Sequence, residues 1–504
     1  MHYGRRMRKA DPSLLERMDV RAALETEISS AQRDLLPVQV GDLAAENHLD
    51  EVAQIIDTRA KEGNVGTEAA PVLAASKWRH GRRPVAAIPL PERVLYRSAA
   101  RLLDAGLAKE RGKGDFSSFT SAPVENGDDF VIVTDLANFY SSIQIDRLSR
   151  VLLSRTGEWS TINWLNDFLH GISPDVGGLP QGSTVSDRLA DTYADTLLRR
   201  LRRRGLSVWR YSDDFRIGAS SYQNAINSLE IFDEEVRSMG LFVNERKTYV
   251  MSRDRYVESR GRQHAFLTEA WEQKREELTT VDFYSFEVHE PADISVFCGV
   301  ALDEMDAWAK DIAHNRDNDQ IPQPVRLDLG LALAVVTIAK DPAALVYISD
   351  LLLMEPQMAH QVADYLYVMS ETHAKAVDNT VIQIIKNASL SKWTSLWLCH
   401  GLSNPASEHA SLPWGSDDIN PEVRDWIRTL TWHNDAVVSS HATWALAING
   451  ALTKEDWIRL NSKQGPYSQQ YTAATLGKLR NTNKENNDSG DQFDAIVRKW
   501  AQSL

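Results

Sequence analysis

Three aspartates in the first half of the sequence have the pattern of a metal-dependent catalytic site. Asp135 ends the strand-forming run 130–134, and Asp213 and Asp214 occupy a predicted turn between two short strands. If these strands are neighbours in one sheet, the carboxylates converge and repel one another unless cations neutralise them. Two Mg²⁺ ions about 3.5–4 Å apart, for which Mn²⁺ can substitute, would activate a 3′-hydroxyl and stabilise a leaving pyrophosphate. The pattern therefore predicts nucleotidyl transfer.

An Asp-Asp pair alone is weak evidence, because the sequence contains two others. Asp128-Asp129 and Asp417-Asp418 lie in polar segments, where solvated turns account for them. Asp213-Asp214 differs from both pairs, since strand-forming residues flank it over 208–211 and 215–217. This setting makes the pair at 213–214 the candidate catalytic pair.

The segments around these aspartates alternate between strand and helix patterns. Strands are predicted over 85–89, 130–134, 206–211 and 215–218, helices over 91–108, 142–153, 160–172, 186–204 and 222–239, a loop over 112–129 and a final strand over 241–250. This alternation is typical of an α/β domain, which we place at residues 71–255.

Beyond residue 290 the strand pattern fades and apolar residues recur at helical spacing. Helices are predicted over 327–339, 343–354, 358–369, 374–385, 421–430, 435–448 and 454–460. Residues 321–324 are interpreted as a linker and 481–490 as a mobile loop. The sequence thus predicts an N-terminal helical segment (1–70), the α/β domain (71–255), a connector (256–320) and an all-α, solenoid-like domain (321–504).

Composition restricts the class of protein. The 504 residues are 43% hydrophobic and 25% charged, which is typical of a folded chain of several domains. Two cysteines and the lack of a long apolar run favour a cytoplasmic protein that does not enter a membrane. The net charge of −14 arises mainly in residues 251–504. The near-neutral first half can still form a basic surface, with candidates at Arg82-Arg83 and Arg199 to Arg204.

Four segments, in order, resemble the motifs of reverse transcriptases. VIVTDLANFYSSI (131–143) resembles the first catalytic motif and GLPQGSTVSDRLADTYAD (178–195) the second. Residues 211–214 resemble the Tyr-x-Asp-Asp box, and residues 240–248 the Gly-Leu-x-x-Asn-x-x-Lys-Thr segment. The resemblance covers residues 77–250. It implies the fingers and palm of a Mg²⁺-dependent RNA-directed DNA polymerase that uses dNTPs and binds RNA or single-stranded DNA.

The resemblance also implies roles for individual residues at the reaction centre. Asp135 and Asp213 would ligate both metal ions with Asp214 beside them, and the Leu136 carbonyl would help to hold the nucleotide-bound ion. Lys247 would donate a proton to the leaving pyrophosphate.

Further residues would bind the nucleotide. The Tyr140 ring would clash with a 2′-hydroxyl and so select dNTPs. Its neighbour Phe139 is the second nucleotide-binding candidate, although packing in the core is the favoured role for Phe139. Gln181 and Gly182 would contact the incoming nucleotide and the template. Arg83 would bind the triphosphate.

Departures from the family's pattern narrow the subgroup. The sequence lacks a recognisable retron Val-Thr-Gly segment, maturase thumb, HNH nuclease or RNase H. A palm followed by a long helical array resembles the abortive-infection and other defence-associated reverse transcriptases of bacteria, which implies an anti-phage role and a homo-oligomer. Two alternatives stay open: a retron-like or group II intron-derived enzyme that copies a dedicated RNA, and a catalytically silent polymerase fold that binds nucleic acid.

The absence of a recognisable thumb, together with this subgroup, suggests priming from a protein hydroxyl. Tyr467 and Tyr471 lie in the segment GPYSQQY, which is predicted to be irregular and mobile. They are the candidate priming residues, whereas Tyr347, Tyr365 and Tyr367 lie in helical patterns and are expected in the core.

Overall fold

The computed structural model describes residues 11–29, 35–66, 68–77, 81–109, 115–173, 177–260, 281–282, 287–288, 294–316, 326–387, 390–403, 420–463, 465–479 and 491–504. The predicted linker at 321–324 and the predicted loop at 481–490 lie outside these residues. Within the described ranges, no helix combines the length and the apolar character needed to cross a bilayer.

The helices of the first half are α1 (Pro12–Arg17), α2 (Val20–Ser29), α3 (Val40–Ala45), α4 (Leu49–Glu62), α5 (Leu90–Arg101), α6 (Asp115–Glu125), α7 (Phe139–Ser142), α8 (Ile145–Thr156), α9 (Trp159–Ile172), α10 (Thr184–Arg203), α11 (Tyr222–Ser238) and α12 (described over 253–260). The strands are β1 (Val72–Ser76), β2 (Arg82–Ala86), β3 (Phe130–Asp135), β4 (Ser207–Tyr211), β5 (Asp214–Ala219), β6 (Tyr249–Ser252), β7 (Val281–Asp282) and β8 (Glu287–Val288).

The helices of the second half are α13 (Ile294–Arg316), α14 (Arg326–Ile338), α15 (Ile348–Met354), α16 (Ala359–Asn387), α17 (Lys392–Gly401), α18 (Pro421–Thr431), α19 (Ala436–Ile448), α20 (Lys454–Asn461), α21 (Pro466–Leu479) and α22 (Gln492–Ser503). The predicted helices at 421–430, 435–448 and 454–460 correspond to α18, α19 and α20.

Contacts divide the chain into two compact units that interleave along the sequence. The first unit comprises Met1–Ala31, Leu49–Ala70 and Ile88–Gln263, and the second comprises Gln32–His48, Pro71–Ala87 and His264–Leu504. The sequence analysis instead expects consecutive domains. The difference arises because α3 contacts α21 and α22, and the β1–β2 hairpin contacts α17, all of them helices far away in sequence.

A four-stranded antiparallel sheet in the order β4-β5-β3-β6 forms the centre of the first unit. Val131 and Ile132 of β3 and Phe215 and Ile217 of β5 are completely buried. Helix α11 packs against this sheet, and the rings of Phe215 and Phe232 lie 5.2 Å apart. Successive residues of a strand project to opposite faces, so the burial of both Val131 and Ile132 shows that the two faces of β3 are covered at this point.

Helix α10 forms because apolar residues recur every four positions along it. Leu189, Tyr193, Leu197 and Leu201 are each at most 1% exposed and form a continuous buried stripe. Both ends of the helix are polar, because Ser183 precedes its first turn and arginines occupy its last turn. The helix therefore has one fixed rotation, which determines where its acidic residues point.

Two local predictions in the first unit are wrong. The segment predicted as a loop over 112–129 contains α6, where Phe116 and Phe119 pack on Tyr211 with ring centroids 5.2 and 6.0 Å away. The strand predicted over 241–250 is limited to β6, preceded by a short 3₁₀ turn at Glu245–Lys247. In both cases tertiary contacts override the local pattern.

The described part of the second unit is mainly helical. The helices predicted separately over 358–369 and 374–385 correspond to the two parts of α16, which meet at a kink at His373, where the backbone angles are non-helical. Thr453 and Asp456 make the capping box predicted for α20. A solenoid-like arrangement of these helices stays a prediction.

Candidate active site

The carboxylates of the sequence prediction meet at one end of the sheet. Strands β3 and β5 are neighbours, with Asp135 and Asp214 directly opposite each other. The backbone N–H of Leu136 donates a hydrogen bond to the Asp213 carbonyl oxygen at 3.1 Å. Directly opposed residues of antiparallel strands project to the same face of the sheet. Asp135 and Asp214 therefore share a face, and Asp213 lies at its end.

A tight turn between β4 and β5 presents Asp213. Tyr211 pairs with Asp214, so that Ser212 and Asp213 form a two-residue loop. Ser212 has a φ of 54°, in the left-handed region where glycine is preferred. A positive φ at the first loop residue is typical of a hairpin whose twist matches its strands. Ser212, the residue before the aspartate pair, therefore has a strained backbone conformation.

The carboxylates share a crowded electrostatic environment. Burial raises the pKa of Asp214, and the negative charges of Asp213 and Asp135 raise it further, while Arg216 and Lys247 oppose the rise. Asp135 is only 5% exposed. Because each charge disfavours ionisation of the others, the site gains free energy from any cation that neutralises it.

Lys247 supplies a positive charge at this site. Its Nζ lies 2.6 Å from Oδ2 of Asp135, although more than half of the lysine side chain is exposed. Partial burial lowers the pKa of Lys247, but the hydrogen bond to Asp135 and the charges of Asp135, Asp214 and Asp213 raise it overall. The ammonium group is therefore protonated and held in an ion pair with Asp135.

The donor chemistry of the site fits a hard divalent cation. Carboxylate and carbonyl oxygens are the ligands that Mg²⁺ prefers. Among the described residues, however, no group of three or more His, Cys, Asp or Glu is already arranged around a common metal position. The ion pair with Lys247 engages Asp135 instead. The residues thus provide suitable oxygen donors, and Lys247 pairs with one of the two oxygens of Asp135.

Tyr140 lies in the short helix α7, close to the carboxylates. Its hydroxyl donates a 2.6 Å hydrogen bond to Oδ1 of Asp187 in the first turn of α10. Burial raises the pKa of Tyr140, and the charge of Asp187 adds to that effect. The neighbouring Phe139 is 3% exposed, in accordance with the expected core position. The Tyr140 ring is therefore fixed by α7, which carries it, and by α10, which binds its hydroxyl.

The loop before α10 is attached to the same tyrosine. The backbone N–H of Leu179 donates to the Tyr140 carbonyl oxygen at 3.0 Å. Gly178 has a φ of 64°, and a Cβ there would lie 2.2 Å from that oxygen. Gln181 and Gly182 follow in a half-buried turn. The glycine thus lets the segment that carries Gln181 and Gly182 approach the Tyr140 backbone.

Three residues predicted for the site belong to the second compact unit. Arg83 lies on β2 opposite Ala75. Tyr467 and Tyr471 lie in α21 and are 3% and 0% exposed. The prediction of an irregular segment is wrong, because Pro466 begins a helix in which the two tyrosines are one turn apart. Their hydroxyls lie 3.0 and 2.7 Å from Nε2 of His441.

Sequence reasoning missed several polar residues that surround the site. Asp187, Asp191 and Asp195 recur every four positions, so they occupy one face of α10. Asp187 binds Tyr140, and the other two bind Arg210 at the end of β4. The spacing of these aspartates was the available signal, but only the fold brings Tyr140 and Arg210 to that face.

Five arginines of α8 and α10 form what we call the arginine surface: Arg147, Arg150, Arg155, Arg199 and Arg200. The Arg155 side chain donates a 3.0 Å hydrogen bond to the Thr192 carbonyl, which joins the two helices. Burial and the nearby Arg199 guanidinium lower the pKa of Arg155. Burial raises the pKa of Tyr193, and the charges of Arg147, Arg200 and Arg150 oppose that rise. Positive charges therefore cluster where these helices meet.

Comparisons with known proteins agree with the motifs. Residues 96–286 match the family described as reverse transcriptase (RNA-dependent DNA polymerase). The chain is 26% identical over 138 residues to the retron Ec86 reverse transcriptase of Escherichia coli, a match covering 27% of this chain and 42% of the relative. The chain thus spans less than half the length of that curated relative.

A solved structure, apo telomerase from Candida tropicalis, aligns with 91% of this chain over 74% of its own length. The TM-score is 0.29 and the sequence identity is 10%, so this alignment does not establish a shared fold. The family match includes Asp135, Asp213 and Asp214, together with strands β3, β4 and β5 that position them. The chain therefore contains a reverse transcriptase domain.

Proposed function

We propose that this protein is a divalent-metal-dependent RNA-directed DNA polymerase that incorporates dNTPs. The observation that carries the proposal is the convergence of Asp135, Asp213 and Asp214 at one end of the sheet, within the segment that matches reverse transcriptases. Three carboxylates held together are unfavourable unless a cation binds them. A catalytically silent fold would have no need to keep this repulsion.

Asp135 and Asp213 would hold two Mg²⁺ ions, or Mn²⁺ in their place, with Asp214 beside them and the Leu136 carbonyl as a further ligand. The bound ions would activate the 3′-hydroxyl and stabilise the pyrophosphate charge. Lys247, whose Nζ pairs with Asp135, would transfer its proton to the pyrophosphate oxygen. A lysine ammonium is protonated at neutral pH, and it would give up its proton more readily once the carboxylate charges beside it are neutralised.

Tyr140 would select the sugar of the incoming nucleotide. Its hydroxyl is engaged by Asp187 and its carbonyl by Leu179, so the ring cannot easily move aside. A fixed ring beside the C2′ position excludes a 2′-hydroxyl by steric overlap. Gln181 and Gly182, which follow in the attached loop, would contact the nucleotide and the template, and Arg83 would bind the triphosphate.

The test is the double substitution Asp213→Asn with Asp214→Asn. We expect loss of labelled dNTP incorporation on an RNA template with a DNA primer, with no loss of thermal stability, because the substitutions remove repelling charges. Asp417→Asn with Asp418→Asn removes the same charge outside the matched segment and should retain full activity. Incorporation by the first variant would contradict the proposal.

The arginine surface would bind the phosphate backbone of RNA or single-stranded DNA. Arg199 lies twelve residues after Asp187 on α10, roughly 18 Å along the helix axis. That distance is too great for contact with the reacting nucleotide, but a bound strand of several nucleotides would reach it. Arg150 and Arg199 are exposed, and phosphate contacts of exposed arginines give affinity without sequence preference.

We further propose an anti-phage role and assembly as a homo-oligomer, as the subgroup resemblance implies. The retron-like alternative, which copies a dedicated RNA, gains support from the match to a retron enzyme. Sequencing the DNA that co-purifies with the protein separates the two roles. One defined sequence supports the retron-like enzyme, whereas heterogeneous DNA supports untemplated or broad synthesis. Light scattering of the purified protein tests the oligomer.

Priming from a protein hydroxyl is part of the same proposal. Tyr467 and Tyr471 would first have to leave their buried hydrogen bonds with His441. Denaturing electrophoresis after labelled dNTP incorporation tests for DNA attached to the polypeptide. Label that separates under denaturation excludes protein priming. Covalent label that persists in the variant with Tyr467→Phe and Tyr471→Phe excludes these two residues.

A further inference from the structure

We propose that Arg210 is a positioning residue that fixes the turn bearing Asp213 to the acidic face of α10. The inference rests on the proposed polymerase function and adds a residue with a defined task to it. Arg210 precedes Tyr211 at the end of β4 and does not itself reach the predicted metal ligands through any contact the structure gives.

Arg210 makes four contacts that join two elements. Nη1 lies 2.8 Å from Oδ1 of Asp191 and donates a 2.8 Å hydrogen bond to the Ser212 carbonyl oxygen. Nη2 lies 2.6 Å from Oδ1 of Asp195 and 3.4 Å from the Asp191 carbonyl oxygen. The planar guanidinium therefore spans from the turn to two successive turns of α10, a geometry that the single ammonium of lysine cannot reproduce.

The burial of this network separates it from an ordinary surface ion pair. The side chains of Arg210 and Asp191 are 8% and 9% exposed, and that of Asp195 is 27% exposed. Buried ion pairs keep a fixed geometry, because breaking one leaves an uncompensated charge. The contacts of Arg210 thus hold their positions, unlike those of a solvated arginine.

The turn needs such a restraint because its own backbone does not favour the observed shape. Ser212 adopts a φ of 54° with a side chain that prefers other regions, and Arg210 binds the carbonyl of that same residue. Without Arg210, the turn could relax toward another conformation and move Asp213. Displacement of a catalytic group by about 1 Å can lower a rate by roughly 100-fold.

The same face of α10 also positions Tyr140. Asp187 accepts the Tyr140 hydroxyl one helical turn before Asp191. Through these aspartates, α10 holds both the nucleotide-selecting ring of Tyr140 and, by way of Arg210, the turn that bears Asp213. A change at Arg210 should affect the turn but leave the Tyr140 contact intact, so the rate should fall while the preference for dNTPs remains.

The primary experiment compares Arg210→Lys with Arg188→Lys. Arg188 is a matched control because it lies on α10 and pairs with Asp104, away from the turn. For Arg210→Lys we expect kcat to fall by about 100-fold, with the KM for dNTP and the NTP-to-dNTP ratio near those of the original protein. Hydrogen exchange in the segment 206–216 should accelerate. Arg188→Lys should change none of these quantities.

A second variant provides a test if Arg210→Lys does not fold. Asp195→Asn removes the negative charge that pairs with Nη2 of Arg210 but keeps an acceptor oxygen, so it should give a smaller loss of kcat. Its effect should not add to that of Arg210→Lys in the double variant, since both act through one contact. Folded Arg210→Lys with unchanged kcat and exchange would overturn the inference. If Arg210→Lys does not fold, an Asp195→Asn variant with unchanged exchange in 206–216 and unchanged kcat overturns it.

Failure of the proposed function gives a different result. In that case the original protein itself incorporates no dNTP. Hydrogen exchange, which does not depend on activity, then tests whether Arg210 positions the turn. Faster exchange in 206–216 for Arg210→Lys but not for Arg188→Lys supports positioning of the turn. Equal exchange in the two variants refutes it.

Discussion

Gly178→Ala tests whether the loop before α10 must touch the Tyr140 backbone for activity. The added methyl would lie 2.2 Å from the Tyr140 carbonyl oxygen and 2.7 Å from that of Ser141. Carbon and oxygen atoms do not approach so closely, and both neighbours are backbone atoms that cannot rotate away. The loop must therefore shift by about 1 Å to reach ordinary contact distance.

Gly177→Ala is the matched control. Gly177 has a φ of 65°, almost the same as the 64° of Gly178, but a methyl there meets no described atom within 4 Å. Both substitutions therefore incur the same left-handed strain of about 1–2 kcal/mol. Gly178→Ala adds overpacking of about 1–3 kcal/mol and weakens the hydrogen bond from Leu179, which contributes about 1 kcal/mol.

Activity should separate the two variants more strongly than stability. A loop shift of this size moves Gln181 relative to Tyr140 and should lower kcat by roughly 100-fold for Gly178→Ala. Gly177→Ala should retain most of the original rate. The measurements are thermal denaturation and primer extension on an RNA template. Equal melting temperatures and equal kcat values for the two variants would refute the close approach as a requirement.

Three further predictions concern other parts of the protein. Tyr140→Ala should raise the NTP-to-dNTP ratio, whereas Tyr140→Phe, which keeps the ring, should not; equal ratios in all three proteins would assign the selection elsewhere. Arg150→Ser with Arg199→Ser should weaken binding of single-stranded RNA and reduce the slope of log affinity against log salt by about 1.4, and an unchanged slope would exclude these arginines as phosphate contacts. Burial and the nearby His400 hold the pKa of His441 well below 6.5, so the unfolded chain binds more protons as the pH falls below 6.5. Urea denaturation should therefore show a lower free energy of unfolding at pH 5 than at pH 7, and a constant value would contradict the neutral buried histidine.

The chemistry of the site was predictable from sequence because its parts are local patterns. Asp135 directly follows a run of strand-forming residues, and Asp213-Asp214 has strand-forming residues on both sides. The predicted pairing of these strands is present between β3 and β5. Helices α18, α19 and α20 also agree with their predicted ranges, since apolar spacing and capping residues act within a few positions of one another.

The tertiary structure decided the features that depend on residues far apart in sequence. Helix α6 forms in a polar segment because its aromatic residues pack on Tyr211, and α21 buries Tyr467 and Tyr471 against His441. The spacing of Asp187, Asp191 and Asp195 was visible, but their partners Tyr140 and Arg210 come from other elements. Local patterns specify which residues can form a helix or hold a charge. Only long-range packing selects the partner that each buried charge and ring finally contacts.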